Sequence, residues 1–185
     1  MSSPVSTPKR SAHAVATPLA VALVVTLVTG CGATNRMTNH GVDDSMTPEQ
    51  SKAQVVDAAK EIVGTLKLPV VSAYFWRSSC NDQGDPPFRG SMRIAYPLAS
   101  SFEESQAQVQ MFVALLRDEG WTAPGSDFRT HGTALIKNGV SATFGPKAVG
   151  DTTNGFELLG ECLDTTTTKE DATGGEDIDL GSARR

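Results

Sequence analysis

The stretch that decides the fold is THGTALIKNGVSATF, residues 130–144, in which Asn138-Gly139 separates two runs of strand-forming side chains. Both central residues of a type I′ turn need a positive φ, so an Asn-Gly pair here is the strongest short-range signal of a β-hairpin. The two-residue turn also sets the register and places Leu135 opposite Ala142. An antiparallel sheet is therefore expected to form around this hairpin.

Two amphipathic helices are expected before the hairpin. Thr47 can cap the first helix, with Gln50 completing a capping box, and Pro69 ends it. The second helix begins at Ser101, has acidic residues in its first turn and ends at Gly120. In both segments apolar residues recur every three or four positions, which predicts a stripe that packs against a sheet.

Strand-like segments occupy much of the remaining domain. Residues 69–80 are β-branched and aromatic, and the consecutive Tyr74-Phe75-Trp76 would point to both faces of a strand covered on each side. Residues 91–98 alternate apolar and polar side chains, and residues 156–164 give a last strand. The order α-β-β-α-β-β-β predicts an α+β two-layer sandwich, with a mostly antiparallel sheet of about five strands and two helices on one face.

Residues 1–30 have the pattern of a lipoprotein signal peptide. Lys9 and Arg10 precede an apolar region from Ala14 to Val28, which is shorter than the roughly twenty residues of a transmembrane helix. Val28-Thr29-Gly30-Cys31 then resembles the bacterial lipobox, which implies cleavage before Cys31 and a diacylglyceryl group on its sulfur. The alternative is a plain secretory signal followed by an incidental cysteine.

This assignment divides the rest of the chain into three parts. Cys31 and a flexible polar tether make up residues 31–46, where His40 is interpreted as a solvated linker residue. Residues 47–163 form the globular domain, and residues 164–185 are expected to be a disordered tail because they are rich in Thr, Gly and acids. Acyl chains on Cys31 would anchor the protein to the cell membrane outside the cytoplasm.

The charge of the chain argues against two classes of partner. The full chain has a net charge of −5, and without Lys9 and Arg10 its 14 basic residues face 21 acidic ones. Such a chain, with no basic stripe, is not expected to bind nucleic acid, whose phosphates require Lys and Arg. Membrane attachment would likewise come from acyl chains rather than from attraction to anionic lipids.

The cysteine count predicts a disulfide. Once Cys31 is assigned to lipid, Cys80 and Cys162 remain as an even pair in an exported protein, where disulfides persist. The alternatives are two free buried thiols or one reactive thiol.

Catalytic and metal-binding patterns are weak. His131 is the one histidine of the predicted domain, on a predicted strand, and with both cysteines paired it lacks a nucleophile or further zinc ligands. Residues 81–85, NDQGD, are rich in oxygen ligands but lack the order of a calcium loop, so a plain turn is preferred. Four acids at the ends of the second helix would cap and solvate it: Glu103, Glu104, Asp118 and Glu119. No cofactor, metal or enzymatic activity is predicted.

Aromatic side chains give the one indication of binding. They would line a pocket between helices and sheet or form a surface patch: Tyr74, Trp76, Phe88, Tyr96 and Trp121. Core packing is the simpler explanation for Tyr74-Phe75-Trp76 as a group.

The order of these features resembles a known family. The lipobox, the polar tether, SSCNDQG at residues 78–84, FRGSM at residues 88–92 and GFELLGEC at residues 155–162 are similar to the LppA-like lipoproteins of mycobacteria and related actinobacteria. In that family two cysteines recur at the places of Cys80 and Cys162. The resemblance covers residues 47–163 and implies an exported, lipid-anchored envelope protein without established catalytic residues.

The sequence therefore predicts a lipid-anchored envelope protein that acts by binding or interaction, with an envelope protein or lipid as partner. A carrier or sensor of a hydrophobic envelope ligand is the alternative, and a hydrolase is a remote one. A large apolar cavity would favour the carrier. A filled core with an exposed aromatic patch would favour the interaction protein.

Overall fold

The computed structural model describes residue 42 and residues 44–126, 128 and 130–181. The predicted signal peptide, Cys31 and His40 lie outside the described residues. The elements follow in the order α1 (Pro48–Leu66), β1 (Ser72–Ser79), β2 (Phe88–Pro97), α2 (Phe102–Asp118), β3 (Thr133–Lys137), β4 (Val140–Phe144), β5 (Thr153–Leu159) and β6 (Gly175–Asp177).

The strands form one sheet in the order β3-β4-β5-β2-β1-β6, and each neighbouring pair is antiparallel. The hairpin between β3 and β4 has the predicted turn, since Asn138 and Gly139 adopt φ angles of 49° and 76°. Leu135 pairs with Ala142 in the predicted register. The α+β sandwich is confirmed, with six strands where about five were expected.

Both helices pack on the same face of the sheet. α1 begins with a complete capping box, in which the Thr47 hydroxyl accepts from the Gln50 N–H at 3.2 Å and the Gln50 side chain accepts from the Thr47 N–H at 2.8 Å. At the start of α2 the Ser101 hydroxyl accepts from the Glu104 N–H at 3.1 Å. α1 contacts β2, β4 and β5, while α2 contacts α1 and β3, so the two helices form one layer.

Side chains fill the space between this helix layer and the sheet. Four rings form a cluster with centroid separations between 4.9 and 6.5 Å: Tyr96, Phe112, Phe144 and Phe156. Aliphatic side chains from α1, β2 and β5 surround the rings and are fully buried, among them Ile62, Met92, Ile94 and Leu158. Burying one such side chain contributes about 1.5–3 kcal/mol, so this layer dominates the stability of the fold.

The segment after Asp164 corrects the prediction of a disordered tail. Residues 175–177 form β6, which pairs with β1 at the edge of the sheet. The Ile178 N–H donates to the Ala73 carbonyl at 2.9 Å, and the side chains of Ile178 and Leu180 pack against the core. Composition gave the wrong answer because two aliphatic residues on one side of an alternating segment are enough to attach it to an existing sheet.

The start of this segment is also fixed in place. Asp164 is 1% exposed and Thr167 is 3% exposed. The Asp164 carboxylate accepts hydrogen bonds from the backbone N–H groups of Thr166 and Thr167, each at 3.0 Å, and from the Thr167 hydroxyl. These Thr residues therefore hold a carboxylate and do not belong to a solvated linker.

Two further expectations are wrong. β1 is not covered on each side: Phe75 faces the helices and is buried, whereas Tyr74, which points the other way, is 42% exposed. His131 lies in an exposed bend before β3, which begins at Thr133. The core-packing interpretation thus fits Phe75 and fails for Tyr74.

Candidate functional site

The face of the sheet that points away from the helices is the candidate site, and we call it the open face. Neither described helix packs over it. Cross-strand pairing arranges its side chains in two rows. The first, the charged row, consists of Ala134, Thr143, Glu157, Arg93, Tyr74 and Asp177. The second, the apolar row, consists of Ile136, Ser141, Leu159, Ser91, Trp76 and Gly175.

Two aromatic rings dominate the β1 half of the open face. Tyr74 and Trp76 are two residues apart on one strand, so both point to the same side. Their ring centroids are 6.2 Å apart, with an interplanar angle of 27°. Gly175 on β6 makes room for them, because a Cβ at that position would collide with the Tyr74 ring. The pair therefore forms a flat apolar platform next to the edge of the sheet.

Opposite charges meet at the centre of the open face. Arg93 on β2 lies directly opposite Glu157 on β5, and both side chains are exposed. Within the part of the chain that the structure describes, no ion pair satisfies either charge at 4.0 Å or less. Each charge therefore remains available to a group approaching from outside.

The β4 half of the open face carries short side chains instead. Ser141 and Thr143 occupy the positions that Trp76 and Tyr74 occupy in the β1 half. Ser91, in the middle, is fully buried and hydrogen-bonds the Ser78 hydroxyl at 2.6 Å. The large rings of β1 thus correspond to short hydroxyl side chains at the equivalent positions of β4.

The two domain cysteines form a disulfide. Cys80 follows β1 and Cys162 follows β5, with a Cα–Cα distance of 6.0 Å and a sequence separation of 82. The bond ties the end of the β1–β2 hairpin to the segment that leads to β6. It lies at one end of the sheet, outside both rows of the open face.

The turn after Cys80 closes by hydrogen bonds of its own. The Asn81 side-chain oxygen accepts from the N–H groups of Gln83 and Asp85, both at 3.1 Å, and its amide donates to the Asp85 carbonyl at 2.8 Å. Lys169 donates to the Gln83 carbonyl at 2.6 Å. Among the described residues no group of three or more His, Cys, Asp or Glu side chains is arranged to hold a metal ion.

The acids at the start of α2 accept hydrogen bonds within and just before its first turn. Glu104 accepts hydrogen bonds from the Ser100 hydroxyl and from the Ser100 N–H, and the hydroxyl contributes most to lowering the pKa of Glu104. Hydrogen bonding to its own backbone N–H is the main cause that lowers the pKa of Glu103. His131 lies apart from these acids, in an open cleft with Arg117 and Phe128.

The five aromatic residues predicted to line one pocket do not come together. Phe88, Tyr96 and Trp121 are buried on the helix side of the sheet, and the Trp121 indole donates to the Glu61 carboxylate at 3.0 Å. Tyr74 and Trp76 alone belong to the open face. Sequence reasoning missed Arg93 and Glu157 as site residues, although the alternation in each strand already placed them opposite to the core-facing side chains.

Comparison with known proteins shows similarity to lipoproteins. Within the residues that the structure describes, neither helix has the length and apolar character needed to cross a bilayer. A family described as "Putative lipoprotein LppJ" matches residues 47–181. No solved structure matches the chain. The match includes β6 and ends where the described tail ends.

Curated relatives carry the same description. "Putative lipoprotein LppJ" of Mycobacterium tuberculosis (strain ATCC 25618 / H37Rv) is 37% identical over 174 residues, covering 88% of this chain and 90% of the relative. The protein of the same description from Mycobacterium bovis (strain ATCC BAA-935 / AF2122/97) is 36% identical over the same coverage. Because 88% of the chain exceeds residues 47–181, the similarity extends into the segment before residue 47. The expected similarity to mycobacterial lipoproteins is confirmed, with LppJ rather than an LppA-like family as the match.

Proposed function

The chain belongs to the LppJ family of lipoproteins, and from that membership we propose that it is a lipid-anchored envelope protein that binds a partner through the open face of its sheet. Cys31 is the anchor in this proposal: its sulfur carries a diacylglyceryl group, and it becomes the mature N-terminus when residues 1–30 are removed. Two acyl chains suffice for stable attachment, because each buried CH₂ contributes about 0.8 kcal/mol. The folded domain is thereby held outside the cytoplasm at the membrane.

The observation that carries the binding role is the stacked pair of Tyr74 and Trp76 on the open face, in which Tyr74 is 42% exposed and Trp76 is half-buried. Aromatic side chains are enriched at protein interfaces, where they bury a large area at a small cost in conformational entropy. A partly exposed aromatic pair beside Arg93 and Glu157, which have no ion pair among the described residues, has the composition of such a surface. The core gains nothing from Tyr74, which points away from it.

Two further observations support interaction over the other predicted functions. The aromatic cluster and its aliphatic neighbours pack between the helices and the sheet, which supports interaction over a carrier that would hold its ligand in that space. Of the candidate catalytic groups, Cys80 and Cys162 are bonded to each other and Glu104 accepts hydrogen bonds from Ser100, while His131 lies apart from all three. A non-catalytic role is therefore part of the proposal.

In vivo photo-cross-linking tests the binding surface. In the full chain, Tyr74 is replaced by p-benzoylphenylalanine, and cells are irradiated before membrane extraction. We expect a discrete adduct from position 74. The matched control places the same residue at Lys60, which is exposed on α1 with 55% of its side-chain area accessible. Equal labelling at both positions, or none at position 74, would contradict the proposal.

Substitution of Cys31 tests the second part of the proposal, the lipid anchor. Cys31→Ala leaves the described domain unchanged and removes the sulfur that carries the lipid. By mass spectrometry, the wild-type chain should begin at Cys31 and carry the lipid there, whereas the variant should carry no lipid. A wild-type chain whose Cys31 bears no lipid, or which retains residue 1, would disprove the anchor.

A further inference from the structure

The open face is complementary to itself, and we propose that its partner is a second copy of this chain, bound face to face about a two-fold axis. This inference rests on the proposed function, because it names the partner of the same face. The strand order and the two rows make the face self-complementary. It requires no rearrangement of the described domain.

A two-fold axis parallel to the strands, midway between β2 and β5, brings the two open faces together. Because the strand order is β3-β4-β5-β2-β1-β6, this operation places β2 over β5 of the second copy, β1 over β4 and β6 over β3. Positions along the strands are preserved, so each row faces the same row of the second copy. Such an interface is isologous: when one residue contacts another across it, the reverse contact also forms.

Charges match at the centre of this arrangement. Arg93 lies over Glu157 of the second copy, and Glu157 lies over Arg93 of the second copy. Two equivalent ion pairs result from one pair of residues. Both side chains are exposed, and neither has an ion pair within the described part of the chain, so their association replaces no described salt bridge.

Away from the centre, large side chains of one copy face small side chains of the other. Trp76 lies over Ser141 of the second copy, and Tyr74 lies over Thr143, so each large ring faces a short hydroxyl side chain. Ile136 lies over Gly175, where the Tyr74 ring fills the space of a side chain, so Ile136 would contact that ring. Packed sheets interdigitate their inner side chains in this way. A face with aromatic rings on both halves would instead place ring against ring.

The area of the face sets the expected strength. Six strands about 4.8 Å apart span roughly 24 Å, and the two rows with their flanking residues extend about 15–20 Å along the strands. That is a small interface compared with the roughly 800 Å² per partner of a stable complex. A dimer of modest affinity follows in solution. Lipid anchors would hold two copies in one plane and raise their effective concentration.

Charge reversal tests the second copy directly. Full chains purified in detergent are studied by sedimentation equilibrium as wild type, Arg93→Glu, Glu157→Arg and an equimolar mixture of the two variants. Each variant alone places like charges at both central contacts, so its dimer dissociation constant should rise at least about tenfold. In the mixture, a heterodimer restores both opposite-charge contacts and should recover an affinity within about threefold of wild type. Lys60→Glu, the matched control on α1, should dimerise like the wild type.

The outcomes separate this inference from the proposed function. A wild-type chain that stays monomeric up to about 0.1 mM, or variants whose mixture does not recover, would overturn the second copy. Adducts from position 74 with another envelope component would then still sustain the proposed function. Adducts of twice the monomer mass, together with recovery in the mixture, establish the second copy. Absence of any adduct at position 74 with a monomeric chain contradicts both.

Discussion

The two faces of the sheet carry similar chemistry under different cover. On the helix side, the rings of Phe144 and Phe156 stack with centroids 4.9 Å apart and are almost fully buried. On the open face, Tyr74 and Trp76 stack at 6.2 Å, yet Tyr74 remains 42% exposed. The first pair contributes its area to the free energy of unfolding. The second leaves much of its area exposed, so the proposed binding role falls on the side of the strands opposite to the core.

The largest expected effect on the free energy of unfolding comes from removing a buried side chain on the helix-covered face of the sheet. Phe144→Ala removes a fully buried ring and leaves a cavity among Phe112, Phe156 and Ala142, which should lower the free energy of unfolding by about 3–5 kcal/mol. Urea denaturation of the full chain measures it. Trp76→Ala, on the open face, is the matched control and should lose less than half as much. Equal losses in the free energy of unfolding would show that the two faces contribute equally to stability, contrary to this prediction.

The next largest effect is expected from removing the disulfide, which belongs to neither face of the sheet. Replacing Cys80 and Cys162 together by Ser opens an 82-residue link and should lower the free energy of unfolding by about 2–4 kcal/mol. The comparison of faces predicts that the double variant still dimerises, because the bond lies outside both rows of the open face. Unfolding in urea and sedimentation of the same sample check the two statements. Unchanged stability without the bond would contradict the first.

The tail gives a smaller effect that tests how β6 is attached. Ile178→Ala removes apolar area that packs on the core and should lower the free energy of unfolding by about 1–2 kcal/mol. Asp179→Ala is the neighbouring control, since Asp179 is exposed, and should change stability by less than about 0.5 kcal/mol. Protection of the Ile178 amide against hydrogen exchange provides a second readout. A freely exchanging Ile178 amide in the wild type would speak against β6.

Features that depend on residues close together in the sequence were predicted correctly, whereas features that depend on distant residues were not. The β3–β4 turn and the Thr47 capping box were predictable because their signals lie within four residues of their partners. β6 was not, since its attachment depends on β1, about one hundred residues earlier in the chain, and on two aliphatic side chains in an acidic segment. The prediction of the site failed for a related reason. Arg93 lies opposite Glu157 only because of the register between β2 and β5, and neither strand's sequence specifies that register alone.

Tyr96 allows a finer test on the covered face, because its hydroxyl is buried with no hydrogen-bond partner in the described structure. Burial raises the pKa of Tyr96 to about 12, from 10. A raised pKa means that the folded state holds the proton more tightly, so this contribution is complete below pH 10 and is lost as pH rises towards 12. The loss approaches about 1.4 kcal/mol per pH unit.

Tyr96→Phe should therefore act in two ways. At neutral pH it removes an unsatisfied hydroxyl and should raise the free energy of unfolding by about 1 kcal/mol. Between pH 10 and 12 it should lack the part of the alkaline loss that belongs to Tyr96. Denaturation at pH 7 and pH 11, with the wild type in parallel, separates the two effects. Parallel alkaline curves for both proteins would mean that the hydroxyl is solvated.

The smallest effect on stability is expected where the effect on binding is largest. Tyr74→Ser removes a ring that contacts Trp76 and the β6 backbone but covers no core residue, so the free energy of unfolding should change by less than about 1 kcal/mol. The same substitution takes away the ring that faces Thr143 of the second copy, and the dimer should weaken by at least about tenfold. Sedimentation equilibrium and urea denaturation on one preparation give both values. A variant that lost several kcal/mol of stability but still dimerised would contradict this prediction. Tyr74 would then stabilise the fold and would not be needed for dimerisation. The opposite result, a stable monomer, would mean that the exposed half of this aromatic pair is retained for a partner and not for folding.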